Sequence, residues 1–189
     1  MTCIVAQVDD VGGIWMGGDS SASAGQSIEI CKEEKVFSRG TMLIGYTTSF
    51  RMGQLLKHTL NVPVHDSHVN TLTYLVNDFT EAIRSCFKAA GLMKRIDEVE
   101  EAGQFLIGYR GRLYIIESDF AVLEPYLGFT AIGAGSEVAK GAMSVTRDME
   151  PRERLMRALE SAAEFCTCVR KPFYFRHRLP TRSEGATES

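Results

Sequence analysis

Residues 2–37, TCIVAQVDDVGGIWMGGDSSASAGQSIEICKEEKVF, decide the reading of the chain. Two strand-like runs, CIVAQV at 3–8 and IWMGGD at 14–19, flank the turn residues Asp9-Asp10-Val11-Gly12-Gly13. That pattern predicts a β-hairpin. SIEIC at 27–31 alternates and predicts another strand, and MLIGY at 42–46 a further one after the Arg39-Gly40 turn.

Helical periodicity takes over next. Ser49 can cap a helix through about His58, with Met52, Leu55 and Leu56 inward. A longer helix is expected from near Ser67 to about Ala90. There Leu72, Leu75, Phe79, Ile83 and Phe87 recur at three- and four-residue steps as one apolar stripe, and Gly91 is the stop. QFLIGY at 104–109 and RLYIIE at 112–117 flank Arg110-Gly111, a second hairpin signal. Residues 120–123 and 129–133 are weaker strand candidates. Two helices are expected at about 135–147 and 151–167, the second with Pro151 at its first position and Leu155, Leu159, Ala162, Ala163 and Cys166 buried. Residues 173–176 suggest a last strand, and the end, PTRSEGATES, has the composition of a flexible tail. Hairpins alternating with helix pairs argue against a doubly wound parallel sheet and for an α+β fold of two antiparallel sheets packed face to face with helices outside. The expected organisation is one domain over 1–176 and a tail over 177–189.

Composition sets outer limits. A chain of 189 residues, 44% hydrophobic and 24% charged, suits one soluble domain with a substantial core. No apolar run approaches the roughly 20 residues that span a bilayer. The start, MTCIVAQVDD, has no basic leader, so a cytoplasmic protein is expected. The five cysteines, Cys3, Cys31, Cys86, Cys166 and Cys168, are odd in number and scattered, which does not suggest a disulfide framework. Cys166 and Cys168 form half of a possible metal site, but no second pair accompanies them, so no metal is expected. The net charge is −3, with a basic end from Arg170 onward that reads as a solvated tail rather than a nucleic-acid surface. The histidines His58, His65, His68 and His177 form no constellation.

Three residues carry chemistry. Each has a bland reading: a threonine after Met is common, Asp19 could be a turn residue, and Lys35, in KEEK, a solvated charge. Together they resemble the proteasome β-type N-terminal-nucleophile (Ntn) hydrolases, most closely the peptidase subunit of the bacterial two-component ATP-dependent (HslV-type) protease. In that family a strand begins at the catalytic threonine, a hairpin returns to a G-G-D motif, and a lysine lies sixteen residues after that aspartate. Here TCIVAQV begins at Thr2, GGD occupies 17–19, and Lys35 lies sixteen residues beyond Asp19. The segments MLIGYTTSFRMGQLL, FLIGYRGRLYIIESDFAVLEP, FTAIGAGSEVAKGAM and AAEFCTCVRKPF extend the likeness to about residues 2–175.

The resemblance implies a four-layer αββα sandwich and a threonine peptidase, active once Met1 is removed. A threonine hydroxyl needs a base. A free α-amine, with a pKa of about 7.7–8.0, can supply one. By the same resemblance Lys35 stabilises the alkoxide, Asp19 orients Lys35, and Ser136 hydrogen-bonds the amine or a bridging water. Tyr46 and Phe50 line the pocket for the residue before the scissile bond, although core packing is an equal reading. The oxyanion donor falls at the Thr48 backbone N–H, where the family has glycine. A β-branched residue does not cheaply take positive φ, so this loop is expected to close differently or to offer a worse-placed donor. CTCVR at 166–170 also lacks the carboxylate that archaeal and eukaryotic β subunits carry there, as does the bacterial subunit. Cys3 is the alternative nucleophile, but its side chain should face away from that of Thr2.

Implied partners are a peptide or unfolded-protein substrate, a homo-oligomeric ring and a separate AAA+ ATPase, since no G-x-x-x-x-G-K-[ST] occurs here; neither nucleic acid nor membrane is expected, and no cofactor. Two other functions remain open. One is a catalytically silent docking subunit, against which the immediate first strand speaks. The other is an Ntn amidase of small molecules, for which the chain is compact.

Overall fold

The structure, a computed structural model, describes residues 2–24, 27–96 and 99–180. The first hairpin forms as its residues dictate: β1 (Cys3–Val8) pairs antiparallel with β2 (Ile14–Gly18), Ile4 opposite Gly18 and Val8 opposite Ile14. Asp9 holds the turn by accepting from the Gly13 and Val11 amides at 2.6 and 3.1 Å. The polypeptide continues through a small hairpin, β3 (Ser21–Ala24) and β4 (Ser27–Ile30), into β5 (Val36–Arg39) and β6 (Met42–Tyr46). Further on come the short pair β7 (Lys94–Ile96) and β8 (Val99–Glu101), then β9 (Phe105–Tyr109), β10 (Arg112–Ile116), β11 (Val122–Leu123), β12 (Phe129–Gly133) and β13 (Tyr174–Arg178). One sheet has the order β12-β1-β2-β13 and the other β11-β10-β9-β6-β5, with every pairing antiparallel. The β7–β8 pair has no counterpart in the expectation from sequence. The last strand runs through Arg178 rather than ending at 176.

Alternation along β1 divides its side chains. Ile4 and Ala6 join Ile14 and Met16 against Val36, Leu43, Leu106 and Leu113 of the other sheet. Cys3 and Val5 face the opposite way, onto Leu155, Leu159 and Ala162 of α5 (Pro151–Phe165) and Met143 of α4 (Ser136–Val145). The second sheet's other face, with Ile44, Phe105, Ile107 and Tyr114, packs on Leu55, Leu75, Phe79, Ile83 and Phe87. Each such side chain taken fully out of water contributes roughly 1.5–3 kcal/mol. The architecture is thus mixed α+β with antiparallel sheets.

Two of the expected helices differ in a way that matters. The first, α1 (Phe50–Gln54), is capped by Ser49 Oγ, which accepts from the Met52 amide, and runs on as a π-helical turn, Leu55–Thr59. The second begins at Thr71, not near Ser67, because Asn70 is its cap: the side-chain oxygen accepts from the Leu72 and Thr73 amides. It comprises α2 (Thr71–Tyr74), a π-helical turn Leu75–Phe79 and α3 (Thr80–Ala89). A π turn takes in an extra residue and so rotates the helix face on its N-terminal side relative to the face on its C-terminal side. Leu72 therefore leaves the predicted stripe and is 43% exposed, while Tyr74 is buried beside Leu75 and Phe79. On α5 the deeply buried face is Arg154, Leu155, Ala158, Leu159 and Ala162; Ala163 and Cys166 are only partly covered.

Candidate active site

Antiparallel pairing brings the start of β1 beside the end of β2, so Thr2 and Asp19, seventeen positions apart, become neighbours. Lys35 immediately precedes β5 in the other sheet, where its carbonyl accepts from the Tyr46 amide at 3.1 Å. Its side chain crosses between the sheets. Thr2, Asp19 and Lys35 are 3%, 0% and 2% exposed.

The polar groups of this trio are matched. Lys35 Nζ donates to Thr2 Oγ1, to Asp19 Oδ1 at 2.9 Å and to the Ser21 carbonyl at 2.6 Å, which uses all three ammonium protons. Asp19 Oδ1 also accepts from the Thr2 hydroxyl and from the Cys3 amide at 3.1 Å. Oδ2 accepts from the Ser21 amide at 3.0 Å, the Ser21 hydroxyl at 2.6 Å and the Arg170 amide at 3.4 Å. Burial pulls the Lys35 ammonium below its ordinary pKa, and Asp19 opposes that pull. A hydroxyl held by a buried ammonium and a carboxylate is a polarised oxygen, the arrangement a nucleophile needs. Cys3 points to the opposite side of β1, as expected. Burial, with Asp19 next in weight, pushes its thiol up to about 12. A thiol so protonated is a poor nucleophile.

Two cavities meet at Thr2. One, of about 280 Å³, is walled by Lys35, Tyr46, Thr48, Phe50 and Glu29. Tyr46 lines this cavity and is also a core residue, 4% exposed. Gly53 makes room for its ring: a Cβ there would lie 2.2 Å from Tyr46 Cζ. Phe50 is partly buried and meets the Tyr46 ring edge-on at 6.1 Å, with Lys35 Nζ 5.7 Å from its centre. The other cavity, of about 480 Å³, contains Ser136, Gln104, Glu117 and Lys140. Ser136 opens α4 and shares this cavity with Thr2 without a hydrogen bond between them. The chain reaches α4 through Gly133, at φ +92°, where a Cβ would lie 2.3 Å from the Thr2 carbonyl oxygen. Only glycine fits there.

Thr48 lies on the wall common to both cavities. Contrary to the sequence expectation, it takes the left-handed conformation itself, at φ +67°. That costs about 1–3 kcal/mol for a non-glycine residue. Its neighbours impose it. Thr47 donates to the Gln104 carbonyl through its amide at 3.2 Å and its hydroxyl at 2.9 Å, and the Ser49 amide returns to the Thr47 carbonyl at 2.7 Å. With the Thr47 proton so committed, the Thr48 hydroxyl donates to Thr47 Oγ1 at 3.2 Å. The Thr48 amide has no acceptor among the described residues.

Sequence reasoning missed Ser21 and the backbone of residues 168–172. The carboxylate-free stretch after α5 supports Asp19 with a main-chain amide, which no residue type announces. The only sequence signal for Ser21 is its place two residues past the GGD motif. Met1 falls outside the described residues. Elsewhere, His65 stacks on Tyr74 at 4.2 Å and bonds the Val69 carbonyl, and His177 stacks on Trp15 at 3.9 Å; both are packing roles. Among the described residues no group of three or more His, Cys, Asp or Glu gathers around a metal-sized space, and no helix is long and apolar enough to cross a membrane.

The antiparallel α+β architecture is consistent with a fold of the Ntn type. Solved structures share it. BPH from Thiobacillus denitrificans, in complex with epoxomicin, superposes with a TM-score of 0.79 at 18% identity, over 95% of this chain and 100% of that one. Eukaryotic HslV from Trypanosoma brucei gives 0.65 at 16% identity, over 93% and 98%. Anbu, an ancestral beta-subunit from Yersinia bercovieri, gives 0.64 at 16%, over 93% and 81%. The chain thus has the fold of these proteasome-like structures. No protein-family model and no curated protein sequence matches it.

Proposed function

We propose that the chain is a threonine-type peptidase of the proteasome β-subunit type, with Thr2 as nucleophile after removal of Met1. One observation carries the reading: Lys35 Nζ reaches Thr2 Oγ1 while paired with Asp19 at 2.9 Å, all three groups buried. The freed α-amine takes the hydroxyl proton, and Oγ1 bonds to the scissile carbonyl carbon. The Thr48 amide receives the oxyanion, and the amine passes its proton to the departing nitrogen. Water then cleaves the ester. Asp19 holds Lys35 in place, and Ser136 serves the amine or a bridging water. Tyr46 and Phe50 shape the pocket for the residue before the scissile bond.

The wider reading is a single domain that extends through β13 to Arg178, so the tail expected over 177–189 starts no earlier than Leu179, and a four-layer αββα sandwich supported by the three apolar clusters. It works as a ring of identical chains in the cytoplasm, fed by a separate AAA+ ATPase with peptide or unfolded protein. Leu72 and Val76, 43% and 48% exposed on the outside of the long helix, support a contact surface there. A silent docking subunit has no use for a matched buried trio beside two cavities. The test is mass spectrometry of the purified protein after exposure to a threonine-directed electrophile, with hydrolysis of a fluorogenic peptide in parallel. Loss of Met1, an adduct on Thr2 and turnover are expected; a folded protein that keeps Met1 and shows neither adduct nor turnover overturns the reading.

A further inference from the structure

We infer that the Ser21 hydroxyl is a positioning residue for the Thr2 reaction: it fixes the far oxygen of Asp19 and ties the segment after α5 to the Lys35–Thr2 pair. This rests on the peptidase reading above. Ser21 is completely buried. It touches the trio through three of its groups, because its amide and hydroxyl donate to Asp19 Oδ2 and its carbonyl accepts from Lys35. The hydroxyl has one proton and two acceptors, Asp19 Oδ2 and the Cys168 carbonyl. The carboxylate, being charged, is the stronger. Arg170 donates its amide to the same Oδ2, and its side chain turns away to the Cys166 and Val169 carbonyls.

The division of labour between the two oxygens gives Ser21 its effect. Oδ1 faces Thr2 and Lys35, and Oδ2 faces Ser21 and Arg170. A donor on Oδ2 disperses the negative charge and leaves less of it on Oδ1. It also stops the carboxylate from rotating, and Lys35 with it. Losing that donor should therefore lower turnover without touching the substrate cavities, and should strengthen the hold of Asp19 on the Lys35 proton. The other titratable groups acting on Lys35 are Cys31 and Cys3, which the substitution leaves alone.

Ser20 provides the control. Its hydroxyl donates to the Pro172 carbonyl and its amide to that of Arg170, so it ties down the same segment but does not reach Asp19. The experiment compares Ser21→Ala and Ser20→Ala with the wild-type chain by kcat and KM on a fluorogenic peptide across pH. Expected for Ser21→Ala is a kcat lower by about tenfold or more, the scale of one hydrogen bond to a charged group. KM should stay within about twofold, and the alkaline limb should move to higher pH. Ser20→Ala should keep the wild-type limb. If Ser21→Ala does not fold, the near-isosteric Ser21→Cys, whose thiol is a weak donor, is read in the same way, and Ser21→Thr, which keeps the hydroxyl, should restore activity. A folded Ser21→Ala or Ser21→Cys with wild-type kcat and limb, or equal effects of the two alanine substitutions, overturns the inference alone. A wild-type chain that cleaves no peptide overturns the peptidase reading and this inference with it.

Discussion

Among the described residues two cations are buried, and they are held in opposite ways. Lys35, 2% exposed, faces a carboxylate, a hydroxyl and a carbonyl beside a cavity. Arg154, 7% exposed, has no carboxylate partner among the described residues. It donates to the Met143 carbonyl through Nε and Nη2 at 3.1 and 2.7 Å and to Gln7 Oε1 at 3.0 Å, and it lies 4.5 Å from the centre of the Phe129 ring. Burial lowers the pKa of both. A guanidinium stays charged regardless and can be satisfied by neutral oxygens and an aromatic face, so it can serve as a helix-end clamp. An ammonium is a compact charge whose proton responds to its surroundings. Placed against a hydroxyl it does chemistry. Burial alone therefore does not mark a functional cation; the company it keeps does.

The sharpest way to break this contrast is Lys35→Ala. The rate should fall by about a hundredfold or more, the cost of losing an electrostatic stabiliser. Circular dichroism should still report a folded chain, since Asp19 keeps its other donors. Lys35→Arg should not rescue the rate, because the planar guanidinium crowds the hydroxyl. Near-normal kcat/KM in either variant would place Lys35 with Arg154 as a structural cation.

Arg154→Ala should do the reverse. It removes charge-assisted hydrogen bonds to the end of α4 and the stacking on Phe129, at about 2–3 kcal/mol of stability, read as a lower denaturant midpoint. Once folded it should retain the wild-type kcat. A large loss of rate at unchanged stability would contradict a clamp.

The smallest effect is a displacement in pH. In the proposed mechanism Lys35 acts as the protonated ammonium, and burial holds its pKa below the ordinary lysine value of 10.5, so kcat/KM should decline on the alkaline side with a limb below that value. Asp19→Asn removes the charge that opposes burial. The ammonium then loses its proton more readily, and the limb should move to lower pH, opposite to Ser21→Ala. An unmoved limb in Asp19→Asn would mean that another group sets it.

Much was legible in the residues themselves. Alternation in CIVAQV and the turn residues after it specify a hairpin whatever surrounds it, and the apolar steps through Phe79, Ile83 and Phe87 specify a buried helix face. Thr2, Asp19 and Lys35 each had a bland reading and stood out only together, through the resemblance that their joint spacing carries. What sequence could not supply were the facts that depend on neighbours distant along the chain. The π turn Leu75–Phe79 displaced Leu72 and buried Tyr74. Thr48 adopts positive φ because Gln104, just before β9, holds Thr47. Asp19 receives an amide from Arg170, 151 residues away. Local pattern fixes hydrophobic periodicity and turn chemistry, both of which act over a few residues. Strained backbone and main-chain hydrogen bonds to a buried carboxylate are decided only when the sheets close, since any residue type can offer an N–H and only packing determines where it points.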